Sequence, residues 1–334
     1  MNPLTAAFAS SLGAALILTP LAMVVARRLG VVDRPDRQLK KHGRAVPYLG
    51  GAAIFLACVA TVLAFKLGLT GSPRGVVGIL AGAGIVFLVG LWDDIRPMGP
   101  YKKLVLQILA ALIPIYFGVH IKFIDNPLYS KALTVLWLVG VTNALNLLDI
   151  MDGLAAGIAT IASIVFLVIS AQNGRFNDAL LASSLAGACA GFLFYNRPPA
   201  RIFMGDAGSL FTGFMLAGIA IGQGYSMKTE IGVFAPLLVL GVPIFETLFV
   251  MAIRAQKGKP VMRGSPDHIP LRIRKMGFSV RATLAILWGS GAVLGVLALM
   301  VIHMNWKRAL LTAVAAAFAG MLAAIRLASV NMEE

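Results

Sequence analysis

Charge is what this 334-residue sequence has least of: Asp, Glu, Lys and Arg make up 13% of it against 59% hydrophobic residues, and mean hydropathy is +0.86. A soluble domain has roughly a quarter of its residues charged, so this composition excludes a water-soluble globular protein. Cysteine is nearly absent too. Cys58 and Cys189, the two present, fall within apolar runs and have no CxxC partner, which excludes a disulfide framework and leaves two small core residues. Long polar stretches are also missing. No separate soluble domain fits between the apolar runs, and residues 1–334 read as one membrane domain. The first run lacks a basic leading region and a small-residue cleavage site, so it reads as a retained helix rather than a signal peptide.

What fills the sequence is apolar runs, at about 4–26, 49–69, 76–92, 104–119, 131–148, 153–170, 179–195, 207–222, 231–253, 282–302 and 309–328. Each is near the length a helix needs to cross the hydrocarbon core. The expected fold is all-α, a polytopic integral membrane bundle of about eleven transmembrane helices. A net charge of +15 would suit nucleic acid, but the basic residues cluster at the ends of the runs, with no nucleic-acid motif. With the N-terminus outside and the C-terminus cytoplasmic, 21 of the 29 Lys and Arg fall on inward segments, as the positive-inside rule requires. The inward loops are then about 27–48, 93–103, 149–152, 196–206 and 254–281.

Acidic residues played no part in setting that orientation, yet of the 14 only Asp125, Asp178 and Glu230 fall outside. Pairing with the basic loops is the plainest explanation. Five, however, stand at the ends of apolar runs, where burial needs a partner or a cation: Asp93, Asp94, Asp149, Asp152 and Asp206. Adjacent carboxylates repel, and an oxygen-liganded ion such as Mg²⁺ holds several together while leaving positions for water and phosphate oxygens. That points to a phosphorylated substrate. Asp206 and Asp152 have a second reading as caps of helices beginning near Ala207 and Gly153, which is compatible with phosphate binding at a helix N-terminus.

The stretch NALNLLDIMDGLAAG, residues 143–157, spaces Asn143, Asn146, Asp149 and Asp152 three apart. Three residues turn a helix by about 300°, so the first and last cannot share a face. The helix is therefore expected to end near Leu148, with DIMDG wrapping as a short loop that keeps the polar groups convergent. Two basic loops flank this set: DRPDRQLKKHGRAVPYLGG, residues 33–51, and RAQKGKPVMRGSPDHIPLRIRK, residues 254–275, which carries His268. Anionic lipid headgroups alone also account for such loops.

Taken together, HGRAVPYLGG, DDIRPMGPYKKLVLQ, NALNLLDIMDGLAAG, FYNRPPARIFMGDAGSLFTG and PIFETLF followed by SPDHI resemble, in order, the motifs of the polyprenyl-phosphate N-acetylhexosamine-1-phosphate transferases. The family includes phospho-MurNAc-pentapeptide translocase. The resemblance covers the chain from Asp33 to about Lys275. It implies a Mg²⁺-dependent phosphoglycosyltransferase of the bacterial cytoplasmic (inner) membrane, with Mn²⁺ as a substitute ion and the active site facing the cytoplasm. Such an enzyme moves a sugar 1-phosphate from a UDP-N-acetylhexosamine, GlcNAc first among them, to undecaprenyl phosphate and releases UMP, starting a lipid-linked envelope polysaccharide. By similarity, Asp93 and Asp94 match the pair near the acceptor phosphate, Lys103 a nearby motif lysine, and Asp206 the metal-associated aspartate. Asp93, Asp94, Asp149 and Asp206 are thus the expected catalytic carboxylates. Asp152 and Phe203 match uracil positions, Phe203 by stacking, while Asn146, Asp149 and Asn196 match polar positions around the diphosphate, and Asn143 is a weaker match. His268 matches the first histidine of a motif that many members continue as HxHH. Here His268 is followed by Ile269, Pro270 and Leu271, and Arg272 and Arg274 are candidates to replace the lost charge. Glu246 stands where Asp is common and reads as structural. A homodimer is a further expectation from the family, nucleic acid is not expected as a partner, and membrane lipids are. The rival readings are a transporter using intramembrane carboxylates and a noncatalytic lipid-binding homologue.

Overall fold

The structure, a computed structural model, describes residues 2–33, 45–65, 74–222, 234–260 and 265–332. Among these residues it has thirteen helices and one two-stranded antiparallel ribbon, arranged in two compact units, Met1–Gln223 and Gly224–Glu334. Eight of the described helices are long and apolar enough to cross a bilayer. Parts of both basic loops, residues 34–44 and 261–264, lie outside the described residues.

The first unit holds α1 (Pro3–Leu29), the ribbon β1 (Val32–Asp33) and β2 (Val46–Pro47), α2 (Gly50–Phe65), α3 (Arg74–Ile95), α4 (Pro100–Tyr116), α5 (Pro127–Leu148), α6 (Leu154–Gln172), α7 (Phe176–Asn196) and α8 (Gly205–Gly222). Each of the first eight apolar runs coincides with one of these helices. Proline in the first turn opens α1, α4 and α5, where its missing N–H has no helical partner to lose. The outward faces stay apolar, with Ile17 and Leu21 of α1 and Leu88 of α3 exposed, as lipid contact requires.

The centre of this unit is α8, whose Phe211 and Phe214 are fully buried. Lipid is as apolar as these side chains, so van der Waals packing and interhelical hydrogen bonds, rather than water exclusion, hold such helices together. Small residues permit the approach. Gly208 lies so close to Gly51 of α2 that a Cβ on either would enter the other's backbone, and Thr142 of α5 and Ile79 of α3 close on α8 at two further glycines. Trp137 Nε1 of α5 donates to Ala217 O at 3.1 Å. The N-terminus of α8 thereby meets the last turns of α3 and α5 and the first turn of α4, the places where the sequence concentrates its carboxylates.

The second unit holds α9 (Ala235–Val239), α10 (Gly241–Gln256), α11 (Ile269–Lys275), α12 (Val280–Val301) and α13 (Trp306–Ala328). The run at about 231–253, read from sequence as one span, is interrupted at Leu240, between α9 and α10. Pro243 has no N–H to bond the Val239 carbonyl, and its ring crowds that turn. Short α11 lies within a stretch expected to be a loop; Pro270 in its first turn and the carboxylate of Glu246 at its N-terminus start it.

Candidate active site

Asp206 stands in the first turn of α8 with both carboxylate oxygens engaged. Asn146 Nδ2, from the last turn of α5, donates to Oδ1 at 2.8 Å and contacts Ser209 Oγ at 2.9 Å. Lys103 Nζ, from the first turn of α4, is ion-paired with Oδ2 and reaches Asp93 Oδ2 at 2.6 Å. Lys103 and Asp93 are 16% and 13% exposed and Asp206 is 27% exposed, so the ammonium is shared between two carboxylates in a partly dehydrated site, where charge-assisted bonds are strong. One turn deeper, the side-chain amides of Gln107 on α4 and Asn143 on α5 hydrogen-bond each other. The sequence reading missed Gln107 and Ser209, although each lies one helical turn from a chosen residue, at i+4 from Lys103 and i+3 from Asp206.

Asp94 does a different job. Its Oδ1 and Oδ2 accept from the backbone N–H groups of Asp206 and Ala207 at 2.8 and 3.0 Å, so a carboxylate from α3 caps α8 and complements its dipole. The cap expected of Asp206 is therefore supplied by Asp94, because α8 starts at Gly205 and places Asp206 inside its first turn. Gly205 makes room for this. Its φ is +69°, and a Cβ there would sit 2.6 Å from Asp94 Oδ2 and 2.9 Å from Tyr48 O. Gly205→Ala is expected to lower turnover about tenfold or more by shifting Asp206, and to destabilise the protein by about 1–2 kcal/mol from the left-handed backbone alone; initial rates and a melting curve check both.

The turn after α5 forms as the spacing predicts: α5 ends at Leu148 and α6 begins at Leu154 after Gly153, with φ +77°. Asp152 does not cap α6. Its Oδ2 accepts from Ala200 N at 2.9 Å, while Asn196 Oδ1 accepts from Gly153 N and its Nδ2 donates to Ile202 O, both at 2.9 Å. Asn196, expected to contact nucleotide, is 2% exposed and braces the 197–204 loop through both ends of its amide. That loop presents Phe203, whose backbone N–H donates to Pro47 O at 2.9 Å and whose carbonyl accepts from Gly50 N at 3.1 Å. Asp149 is the exception in this network. Among the described residues no donor is hydrogen-bonded to its carboxylate, and burial, then the charges of Asp206, Asp94 and Asp152, push its carboxyl up to about 8.

The other expected residues belong to the second unit. His268, 5% exposed, precedes α11, and its Nδ1 lies 2.7 Å from Glu246 Oε1. Glu246 Oε2 accepts from Ile269 N at 3.1 Å, so Glu246 both orients the imidazole and caps α11. Arg272 is engaged in bonds within its own unit. It is 1% exposed, bonded to Asp267 Oδ1 at 2.9 Å and to the carbonyls of Leu327 and Val330 at 2.9 and 2.8 Å, and lies over the Phe249 ring. It closes the C-terminal end of α13. Arg272→Met is expected to cost about 1.5–3 kcal/mol of stability by removing the charge-assisted bonds of the guanidinium, since Asp267 keeps Lys257 at 2.9 Å, read as a lower melting temperature with unchanged substrate KM. Burial pushes the Asp267 carboxyl up, but the Ser265 hydroxyl, Lys257 and Arg272 outweigh it and hold the group below its usual range. Arg274 is exposed and donates to Phe278 O at 2.6 Å.

Among the described residues no three His, Cys, Asp or Glu side chains form a complete cage for a metal ion. A site of one or two carboxylates completed by phosphate oxygens and water needs no such cage. The unpartnered Asp149 carboxylate, close enough to feel the charge of Asp206, fits an ion of that kind. The first unit thus offers negative charge for a cation, an ammonium at Lys103 and an amide at Asn146, gathered at the ends of apolar helices. Groups of these kinds are chemically suited to a phosphate.

Sequence comparison supplies an independent line. Residues 76–223 match the family described as Glycosyl transferase family 4. The chain is 34% identical to a probable undecaprenyl-phosphate N-acetylglucosaminyl 1-phosphate transferase of Bacillus subtilis (strain 168), over 90% of this chain and 85% of the relative. It is 29% identical to the decaprenyl-phosphate N-acetylglucosaminephosphotransferase of Mycolicibacterium smegmatis, over 79% and 74% of the two chains. A phospho-N-acetylmuramoyl-pentapeptide-transferase of Limosilactobacillus fermentum is 28% identical over 86% of this chain and 95% of its own. With the apolar helices described above, these likenesses make the chain a multi-pass membrane protein of glycosyl transferase family 4, the polyprenyl-phosphate N-acetylhexosamine-1-phosphate transferases.

Proposed function

We propose that this protein transfers N-acetylhexosamine 1-phosphate, with GlcNAc the first choice of sugar, from a UDP-sugar to a polyprenyl phosphate. Family membership supports transfer of a hexosamine 1-phosphate to polyprenyl phosphate. The observation that carries the finer reading is the convergence of Asp206, Lys103, Asn146 and Asp149 at the helix ends. A nucleotide sugar is soluble and charged, whereas a polyprenyl tail stays in lipid. A polar site at the end of apolar helices suits both, with the cytoplasmic face of the inner membrane as the side of entry.

In the proposed reaction an oxygen of the lipid phosphate forms a bond to the sugar-bearing β-phosphorus. The bond from that phosphorus to the oxygen bridging to the α-phosphorus breaks, and the bridging oxygen leaves with the electron pair as part of UMP. The acceptor's second pKa is about 6, so it arrives largely dianionic and needs positioning more than deprotonation. Lys103, shared between Asp93 and Asp206, is the donor an arriving phosphate recruits, and Asp93 holds that ammonium in place. Asp94 aims the N-terminus of α8. Asp206 and Asp149 are the carboxylates that would hold Mg²⁺, which supplies Lewis-acid stabilisation of charge on the leaving phosphate. The test is purified protein in detergent with undecaprenyl phosphate, Mg²⁺ and a panel of UDP-sugars. Lipid-linked product with a UDP-N-acetylhexosamine, lost on adding EDTA, is expected; turnover that is indifferent to EDTA rejects the role given to the ion.

A further inference from the structure

The Tyr48 side chain belongs to none of the hydrogen-bond networks of the site among the described residues. Its position is set by its neighbours. Its N–H donates to Val31 O at 3.2 Å, and the flanking Pro47 and Gly50 are hydrogen-bonded to Phe203. The Tyr48 ring meets the Phe203 ring edge-on, centroids 5.6 Å apart at 64°. The half-buried phenol is thereby held beside the segment that leads into Asp206. Four carboxylates from four elements lie within electrostatic reach of it: Asp33 of β1, Asp94 of α3, Asp149 of the α5–α6 turn and Asp206 of α8. A phenol keeps its proton up to about pH 10 even when unperturbed, so at neutral pH it is an O–H donor. Among the described residues nothing is hydrogen-bonded to that hydroxyl. Asp94 already accepts two backbone N–H groups and Asp206 is gripped by Lys103 and Asn146. The Tyr48 hydroxyl is thus an uncharged donor with no hydrogen-bond partner among the described residues, beside two engaged carboxylates and the unpartnered Asp149.

We propose that the Tyr48 hydroxyl is a substrate contact that donates a hydrogen bond to a phosphate oxygen of the bound sugar nucleotide. This deepens the reading given under Proposed function and rests on it. A phenol suits the position because it donates without adding charge. Its edge contact with Phe203 ties its place to the loop that Asp152 and Asn196 brace.

The experiment is steady-state kinetics of the full-length protein with UDP-GlcNAc and undecaprenyl phosphate, comparing wild type, Tyr48→Phe and Tyr48→Leu, with melting curves for each. Tyr48→Phe keeps the ring against Phe203 and removes only the hydroxyl. It is expected to raise the KM for UDP-GlcNAc about tenfold, weaken UDP binding in a thermal-shift titration, leave the KM for the lipid phosphate unchanged, and melt within about 2 °C of wild type. Wild-type kinetics in Tyr48→Phe overturn the proposal and reduce Tyr48 to a packing residue, whatever Tyr48→Leu does. A rise confined to the KM for the lipid overturns it as well, since the bond then goes to the acceptor. Absence of turnover in wild type overturns the functional reading and this proposal with it, whereas active wild type beside unaltered Tyr48→Phe overturns the proposal alone.

Discussion

Asp149→Asn is expected to lower turnover about a hundredfold or more while raising the melting temperature of the cation-free protein. The two effects share a cause. Burial and the neighbouring charges of Asp206, Asp94 and Asp152 push the Asp149 carboxyl up to about 8, far above the roughly 3.9 of an unfolded chain. A carboxyl raised on folding binds its proton more tightly in the native state, so stability falls as pH rises. The penalty is absent below about pH 4, grows up to about pH 8 and is constant above. Asn carries no such penalty. The gain in EDTA is therefore expected to be near zero at pH 4 and at least about 2 °C at pH 8. Scanning fluorimetry across that range checks it, and a gain independent of pH contradicts the assignment. Added Mg²⁺ with UDP is expected to stabilise wild type more than the variant, because a bound cation uses the charge that otherwise destabilises the fold.

Asp206→Asn is the second large effect, an expected fall in turnover of about 10²–10³-fold or more. Both Asp206 oxygens accept from donors, Lys103 on one side and Asn146 on the other. An amide presents only one oxygen. Whichever way it is turned, an N–H faces either the Lys103 ammonium or the Asn146 amide, and Lys103 keeps Asp93 as its one carboxylate partner among these two. The substitution thus removes a cation ligand and displaces the donor assigned to the phosphate. Single-turnover rates at saturating substrate test this; activity within tenfold of wild type would place the chemistry elsewhere.

Much of this was legible from the residues. The run ends that carry Asp93, Asp94, Asp149 and Asp206 coincide with the helix ends that meet at α8, because a carboxylate buried at the end of an apolar helix needs a partner and the chain has few to offer. The turn at DIMDG was legible for the same reason that it forms: a straight helix cannot keep four residues spaced three apart on one face. What stayed hidden depends on contacts distant in sequence. Asp94 caps a helix that begins 111 residues later, and no local pattern distinguishes it from a free acid. Arg272 has a motif position and a charge that suit phosphate, yet its partners are Asp267 and the carbonyls of Leu327 and Val330 at the end of α13. Asn196 and Asp152 keep the residue types of a nucleotide site while binding backbone. The interruption at Leu240 was there to be read in Pro243, and a hydropathy count passes over it.

The measurement that bears most directly on the central claim follows one phosphorus atom. UDP-GlcNAc labelled at the β-phosphorus is incubated with the protein, Mg²⁺ and undecaprenyl phosphate, and the label is traced by mass spectrometry. The account predicts that all of the transferred label enters a lipid diphosphate in step with an equal amount of unlabelled UMP. Label retained in UDP beside a lipid that has gained only sugar, or UMP released without lipid, would contradict it.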